Sequence, residues 1–193
     1  MQIGGKKQMT KLRPFILVLV VSLFSSPSVF AWHSKYDWQI KKASRHYLPA
    51  VPWQLYKAQL IQESSLKPNA ISPAGAEGLA QFMPGTWSDV SRELGMVGSP
   101  TDAELAIPAG AYYMAKLRNV WKWPRPEEDR HNLALACYNA GCGNILKAQR
   151  LCGNPSKYEP IMACLPQVTG KHAMETLGYA PRIWRIYKRL VYE

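Results

Sequence analysis

The chain has 193 residues, 47% of them hydrophobic, with 24 Lys and Arg against 13 Asp and Glu for a formal net charge of +11. That length and apolar share suit one domain with a real core, and the absence of repeats or low-complexity linkers excludes a repeat array. The positive excess favours polyanionic surroundings, whether nucleic acid, anionic lipid or an acidic wall polymer, against the plain alternative of a solubility charge.

Residues 1–31 read as an export signal, and nucleic acid is then the least convenient of those partners. Lys6, Lys7, Lys11 and Arg13 form a positive region with no acid, and Phe15 to Phe24 is a compact apolar run. Val29, Phe30 and Ala31 follow, with cleavage expected after Ala31. The run is well short of the roughly 20 residues a spanning helix needs, which favours export over the competing reading of an uncleaved anchor. After cleavage, residues 32–193 keep a net charge of +7, because four cations and no acid are removed. An exported, periplasmic protein with no stable membrane span is expected.

The remaining chain reads as mainly helical. A first helix is predicted over Ser34–Tyr47, ended by Pro49. Pro52 suits the first turn of a second helix, with Trp53, Tyr56, Leu60 and Ile61 at helical spacing and Glu63 in the last turn. Residues 67–77 are rich in Pro, Gly, Ala, Ser and Asn and form a loop; any sheet is a short hairpin within 67–78. Capping boxes are read at Thr86 to Asp89 and at Thr101 to Glu104. A long helix from about 102 to 121 contains Pro108, which implies a kink or late start. The next, His131–Ala140, should stop at Gly141 as a left-handed cap. A last helical stretch over about 171–191 is expected to break near Tyr179 to Pro181.

The four cysteines, Cys137, Cys142, Cys152 and Cys164, cluster near the C-terminus and read as two disulfides in an exported protein. Zinc is the weaker reading, because there is no Cys-x-x-Cys pair and the histidines are scattered. No metal or cofactor is expected. Three pairings are open. A helix over 144–150 would disfavour Cys142–Cys152, since its rise of about 1.5 Å per residue carries those ends beyond a bridge.

Glu63 is the candidate catalytic group. Leu60, Ile61 and Leu66 around it are apolar, so burial should disfavour its charged form and raise its pKa. The small residues that follow let a chain-like ligand approach the backbone. A carboxyl kept protonated near neutral pH can act as general acid on an acetal. Most glycosidases flank the bond with two carboxylates, yet the nearest acids here are Glu77 and Asp89, and Asp89 is better explained as a cap. Chemistry needing a single carboxylate fits better.

Three spaced blocks carry a resemblance. Glu63-Ser64, then Ala70, Ser72, Gly75-Ala76-Glu77-Gly78-Leu79, Gln81, Pro84 and Thr86 form the first. Cys137-Tyr138-Asn139-Ala140-Gly141 is the second, and Glu175-Thr176 with Tyr179 the third. Together, over roughly 45–190, the chain resembles the family 1 soluble lytic transglycosylases, lysozyme-like enzymes that cleave the glycan strands of peptidoglycan. The resemblance implies a mainly α, α+β lysozyme-like fold, a helical domain over 32–193 with at most a short hairpin.

It also implies that Glu63 serves first as acid and then as base at the bond between N-acetylmuramic acid and N-acetylglucosamine. The muramyl C6 hydroxyl would attack intramolecularly and leave a 1,6-anhydro end. Ser64, Gln81, Tyr138, Asn139 and Tyr179 are implied as substrate-binding residues, with Gly75 and Gly78 shaping the loop. For Ser64, a helix-end hydroxyl bonded to backbone is the competing role. The chain departs from the family pattern at Ala80, often Met; at Ala106, often Asn; and at Ala180, often Val. Ala80 implies a cleft wall that is looser, or refilled by Phe82 or Met83.

The implied partner is peptidoglycan; wall recycling, local opening of the wall for a secretion, conjugation or phage assembly across the envelope, and lysis of a host are all open settings. Three other readings stand beside this one. They are a hydrolytic muramidase needing a second acid, a catalytically idle wall-binding component, and a cationic membrane- or nucleic-acid-binding protein.

Overall fold

The computed structural model describes residues 34–192. The leader expected over 1–31 lies outside them. The described chain is helical: α1 Asp37–Tyr47, α2 Trp53–Ser64, α3 Pro84–Leu94, α4 Ala103–Val120, α5 Glu127–Ala140, α6 Cys142–Leu151, α7 Tyr158–Ala163, α8 Leu165–Thr169 and α9 Ala173–Tyr192. A single 3₁₀ turn, Gly170–His172, joins α8 to α9. The small β component consists of two antiparallel bridges, Ile71 with Glu77 and Glu77 with Phe82. Among the described residues no sheet forms; these isolated bridges fall where a short hairpin was the most that was expected, and extend to Phe82.

Helix α2 is the centre of the packing. It follows the extended Pro52 and is enclosed by α9 and α1. Leu55, Tyr56, Ala58 and Leu60 are buried, and so are the polar Lys57, Gln59 and Ser64. Polar side chains buried this deeply call for partners within the protein. Lys57 finds one in a 2.6 Å ion pair with Asp37 at the start of α1. Tyr56 finds its own by an unusual insertion into α4. Its hydroxyl donates to the Ile107 carbonyl at 2.6 Å and accepts from the Ala111 N–H, two groups that would otherwise pair along the helix. The neighbouring Gly110 makes room: a Cβ there would lie 2.5 Å from the Tyr56 hydroxyl and 3.1 Å from the Ala80 methyl.

Several local expectations are corrected. Helix α3 opens at Pro84, after an extended Met83, so Thr86 to Asp89 is not a cap. Asp89 instead sits exposed within the helix in a 2.6 Å pair with Arg92. In the second box the cap is Asp102, whose side chain accepts from the Glu104 N–H at 2.9 Å. Helix α5 begins a turn earlier than expected, with Glu127, Glu128 and Asp129 at its positive end. Gly141 has positive φ, but its ψ of 133° places it outside the left-handed helical region. Helix α9 runs unbroken through Pro181. An internal proline costs about 3 kcal/mol, and burial of Tyr179, Ala180 and Ile183 on the face toward the core offsets it. Trp121 is 1% exposed in the core, and Trp53 and Trp184 pack against that core partly buried.

The cysteines pair as Cys137–Cys142, across the α5–α6 junction, and Cys152–Cys164, from the end of α6 to the α7–α8 junction. The second bond closes a loop of a size worth about 3 kcal/mol in chain-entropy terms.

Replacing Gly110 with Ala tests the Tyr56 insertion by sign. In an ordinary helix interior the change stabilises by about 1 kcal/mol. Here it should destabilise by about 2 kcal/mol or more, because the new methyl displaces a buried hydroxyl. Thermal unfolding of the variant should show a lower midpoint; a higher one would contradict the insertion.

Candidate active site

Glu63 occupies the last turn of α2, where the chain turns sharply away. Ser65 and Leu66 both hold positive φ, 54° and 58°, and so does Gln81 at 48° where the loop returns. Left-handed geometry costs a non-glycine residue roughly 1 kcal/mol or more, and three such residues bracket the segment that follows Glu63. Side-chain hydrogen bonds hold this segment in place. The Ser64 hydroxyl lies 2.9 Å from the Leu79 carbonyl and 3.2 Å from that of Leu60. The Gln81 amide donates to the carbonyls of Ala70 and Gly78 at 3.1 and 3.0 Å. Gly78 is required twice, by its φ of 79° and because a Cβ would lie 1.8 Å from the Pro100 carbonyl oxygen. Gly75 needs only its positive φ of 82°.

The residues expected to bind substrate therefore divide. Ser64 and Gln81 spend their polar groups on backbone carbonyls and build the loop; for Ser64 the competing structural role is the one observed. Tyr138 donates to the Ala80 carbonyl at 2.6 Å. Ala80 itself is fully buried against α4, so that departure from the family pattern lies in the core rather than in a cleft wall. Phe82 is likewise core, and Met83 is exposed. Asn139 joins α5 to α9: its Oδ1 accepts from Thr176 at 2.7 Å and its Nδ2 donates to Glu175 Oε1 at 3.3 Å. Beside them opens a depression of about 360 Å³ walled by Asn139, Asn144, Thr169, His172, Glu175 and Thr176.

Tyr179 alone of these residues reaches the carboxylate, donating its hydroxyl to Glu63 Oε1. Burial pushes the Glu63 pKa up to about 7; the Tyr179 hydrogen bond opposes this, and the charge of Glu175 adds to it. Tyr138 and Tyr179 are in turn raised well above the usual phenol range, chiefly by burial and then by the Glu63 charge. The result is a carboxyl group divided between its two protonation states near neutrality, ringed by phenols that stay neutral. Such a group can give up a proton and take one back.

Two contributors escaped the sequence reading. Glu175 lies in the third block, but its electrostatic effect on Glu63 depends on how α9 crosses α2. Gln59, one turn before Glu63, is 1% exposed and hydrogen-bonds the Tyr179 hydroxyl. Its spacing of four residues from Glu63 was the available signal. Among the described residues no group of three or more His, Cys, Asp or Glu side chains could hold a metal ion.

The shift on Glu63 has a stability consequence. Its folded pKa of about 7 exceeds the ordinary 4.5, so the folded state binds the proton more tightly. The penalty of the ionised form is absent at low pH, grows as pH rises through that window, and reaches about 3 kcal/mol above it. Glu63→Gln should therefore be more stable than the parent at pH well above the window and nearly equal below it, as read by denaturant titration at both pH values. Equal stability throughout would remove the desolvation.

The profile of the transglycosylase SLT domain family matches residues 40–161. Among curated relatives, the membrane-bound lytic murein transglycosylase F of Erwinia tasmaniensis is 31% identical over 147 residues, 73% of this chain and 29% of that protein. The protein of the same name from Salmonella arizonae is 32% identical over 148 residues, 74% of this chain and 28% of that protein. The chain thus spans under a third of the length of these relatives. In fold it is similar to the lytic transglycosylase Slt of Pseudomonas aeruginosa, with a TM-score of 0.64 at 20% identity over 82% of this chain and 24% of that one. The 70 kDa soluble lytic transglycosylase of Escherichia coli gives 0.58 at 24% identity over 79% of this chain and 24% of that one. By the extent of the family match, the chain belongs to the transglycosylase SLT domain family.

Proposed function

We propose that the chain is a peptidoglycan lytic transglycosylase that cleaves the β-1,4 bond from N-acetylmuramic acid to N-acetylglucosamine and closes a 1,6-anhydro ring on the muramyl residue. The observation that carries the proposal is the state of Glu63, a desolvated carboxyl raised to about 7 and hydrogen-bonded by one neutral phenol. Membership of the family and the names of its relatives, lytic murein transglycosylases, support the same substrate.

In this reading protonated Glu63 gives its proton to the bridging oxygen as positive charge grows at the muramyl anomeric carbon, with the N-acetyl group assisting there. The N-acetylglucosamine leaves with that proton. Glu63, now a carboxylate held by Tyr179, takes the proton of the muramyl C6 hydroxyl as its oxygen bonds to the anomeric carbon. One bond breaks, one forms, the acid is regenerated and no water is consumed. A pKa near the working pH suits both halves. Tyr179 orients the carboxyl, and Asn139 with the depression beside it receives the sugar or its peptide. Ser64, Gln81, Tyr138, Gly75 and Gly78 fix the loop that forms the opposite wall.

The residue assignments belong to this proposal, as do export to the periplasm and a role in opening the wall for a trans-envelope assembly. Among the described residues no helix is long and apolar enough to cross a membrane. A hydrolytic muramidase is the second reading, and the observation favouring it is Glu175, whose charge acts on Glu63 and which could position water.

Purified peptidoglycan digested by residues 32–193 with both disulfides formed should yield muropeptides one water lighter than hydrolysis products, by mass spectrometry. Glu63→Gln should lower the yield by about a thousandfold or more, the general acid being lost. Ordinary reducing-end products would instead establish hydrolysis and implicate Glu175.

A further inference from the structure

Gln59 is a buried polar side chain that the proposed reaction has not used. It precedes Glu63 by one helical turn on α2, so the two side chains share a face. Its amide hydrogen-bonds the Tyr179 hydroxyl, and Tyr179 donates to Glu63 Oε1. The other end of the amide, Oε1, is buried without a partner. A tyrosine hydroxyl has a single proton and can accept as well as donate. When the Gln59 N–H donates to it, that proton is directed at Glu63, the arrangement an ionised carboxylate needs.

We propose that Gln59 is a positioning residue, acting through Tyr179 to set the direction of the hydrogen bond at Glu63 and, by turning its amide, to let that direction reverse when Glu63 is protonated. With Glu63 protonated, its own O–H can donate to Tyr179, whose proton then turns to the Gln59 oxygen. With Glu63 ionised, the amide presents N–H and Tyr179 donates to the carboxylate. No proton leaves Tyr179 in either state; only the hydroxyl and the amide reorient. The unpartnered oxygen is the acceptor reserved for the first state. An unmade hydrogen bond on a buried amide is unfavourable, and this alternation would relieve it for half of the cycle.

The relay rests on the proposed reading of Glu63 as both acid and base, but its electrostatic effect is measurable without substrate. The described titratable groups acting on Glu63 are Tyr179 and Glu175 from α9; Tyr138 from α5 senses its charge in return. Removing Gln59 leaves these in place. The ionised form then loses more than the neutral one, since hydrogen bonds to a charged acceptor are the stronger kind.

Labelled-carboxyl NMR of the whole domain, with the Glu63 signal assigned by Glu63→Gln, gives its titration midpoint directly. Gln59→Leu should raise that midpoint by about half a unit or more, and Tyr179→Phe should raise it further. In the Tyr179→Phe background, Gln59→Leu should add nothing. Gln59→Met, closer in shape, provides the same comparison if the Leu variant fails to fold. An unmoved midpoint in a folded Gln59 variant would overturn the proposal, as would an equal shift with Tyr179 already removed. Failure of the proposed activity would appear separately, as a protein whose Glu63 midpoint shifts with Gln59 as expected and which nevertheless releases no anhydro product.

Discussion

The contact between Tyr179 and Glu63 joins α2 and α9, which share the most extensive packing among the described helices, at the point where a carboxyl group is largely shielded from water. Much of the surrounding structure makes that desolvation tolerable. Helix α2 is surrounded by core, so its polar side chains must find partners within the protein: Lys57 in Asp37, Tyr56 in the backbone of α4, Ser64 in the loop that follows. Glu63 is the member of this series whose partner is a single phenol, and it is the one left with a strongly raised pKa. In the proposed reading, function and instability therefore come from the same atom pair. A carboxyl made comfortable by several donors would be a stronger base of the protein's structure and a useless acid at neutral pH.

The loop facing Glu63 follows the same logic. Its bends are enforced by Gly75 and Gly78 and by three left-handed non-glycine residues, and its short bridges are stapled by Ser64 and Gln81. Ser64 and Gln81, which the family signature offers as ligands, spend their polar groups on backbone carbonyls of this loop. In the proposed reading the loop forms one wall of the substrate site, opposite the depression beside Asn139 and Glu175. The disulfides act at one remove, closing the α5–α6 corner that carries Tyr138 and Asn139 and tying α6 to the helices bordering the depression.

What the sequence revealed and what it concealed follow physical lines. Glu63 was legible because an acid at the end of an apolar run, before a loop of small residues, is unusual at the level of single residues. The mainly helical character was legible from spacing, Pro and Gly. Helix α9 was misread at Pro181 because a local rule met tertiary packing: Tyr179, Ala180 and Ile183 bury the helix on both sides of the break that propensity demands. Asp89 was misread because a Thr-x-x-Asp pattern resembles a cap, yet the helix already begins at Pro84. The Tyr56–Gly110 approach, the burial of Trp121 and the link from Gln59 to Tyr179 carry no local pattern at all. Each exists because segments far apart in the chain meet, and only the folded arrangement brings them together.

The central claim is that one carboxyl group performs both halves of a transfer in which the substrate supplies its own nucleophile. Digestion of peptidoglycan in heavy-oxygen water tests it most directly. The account predicts that the new muramyl ends carry no label, since the oxygen bonded to the anomeric carbon comes from the C6 hydroxyl. Incorporation of one heavy oxygen per cleavage would contradict it and require a water positioned by a second acid.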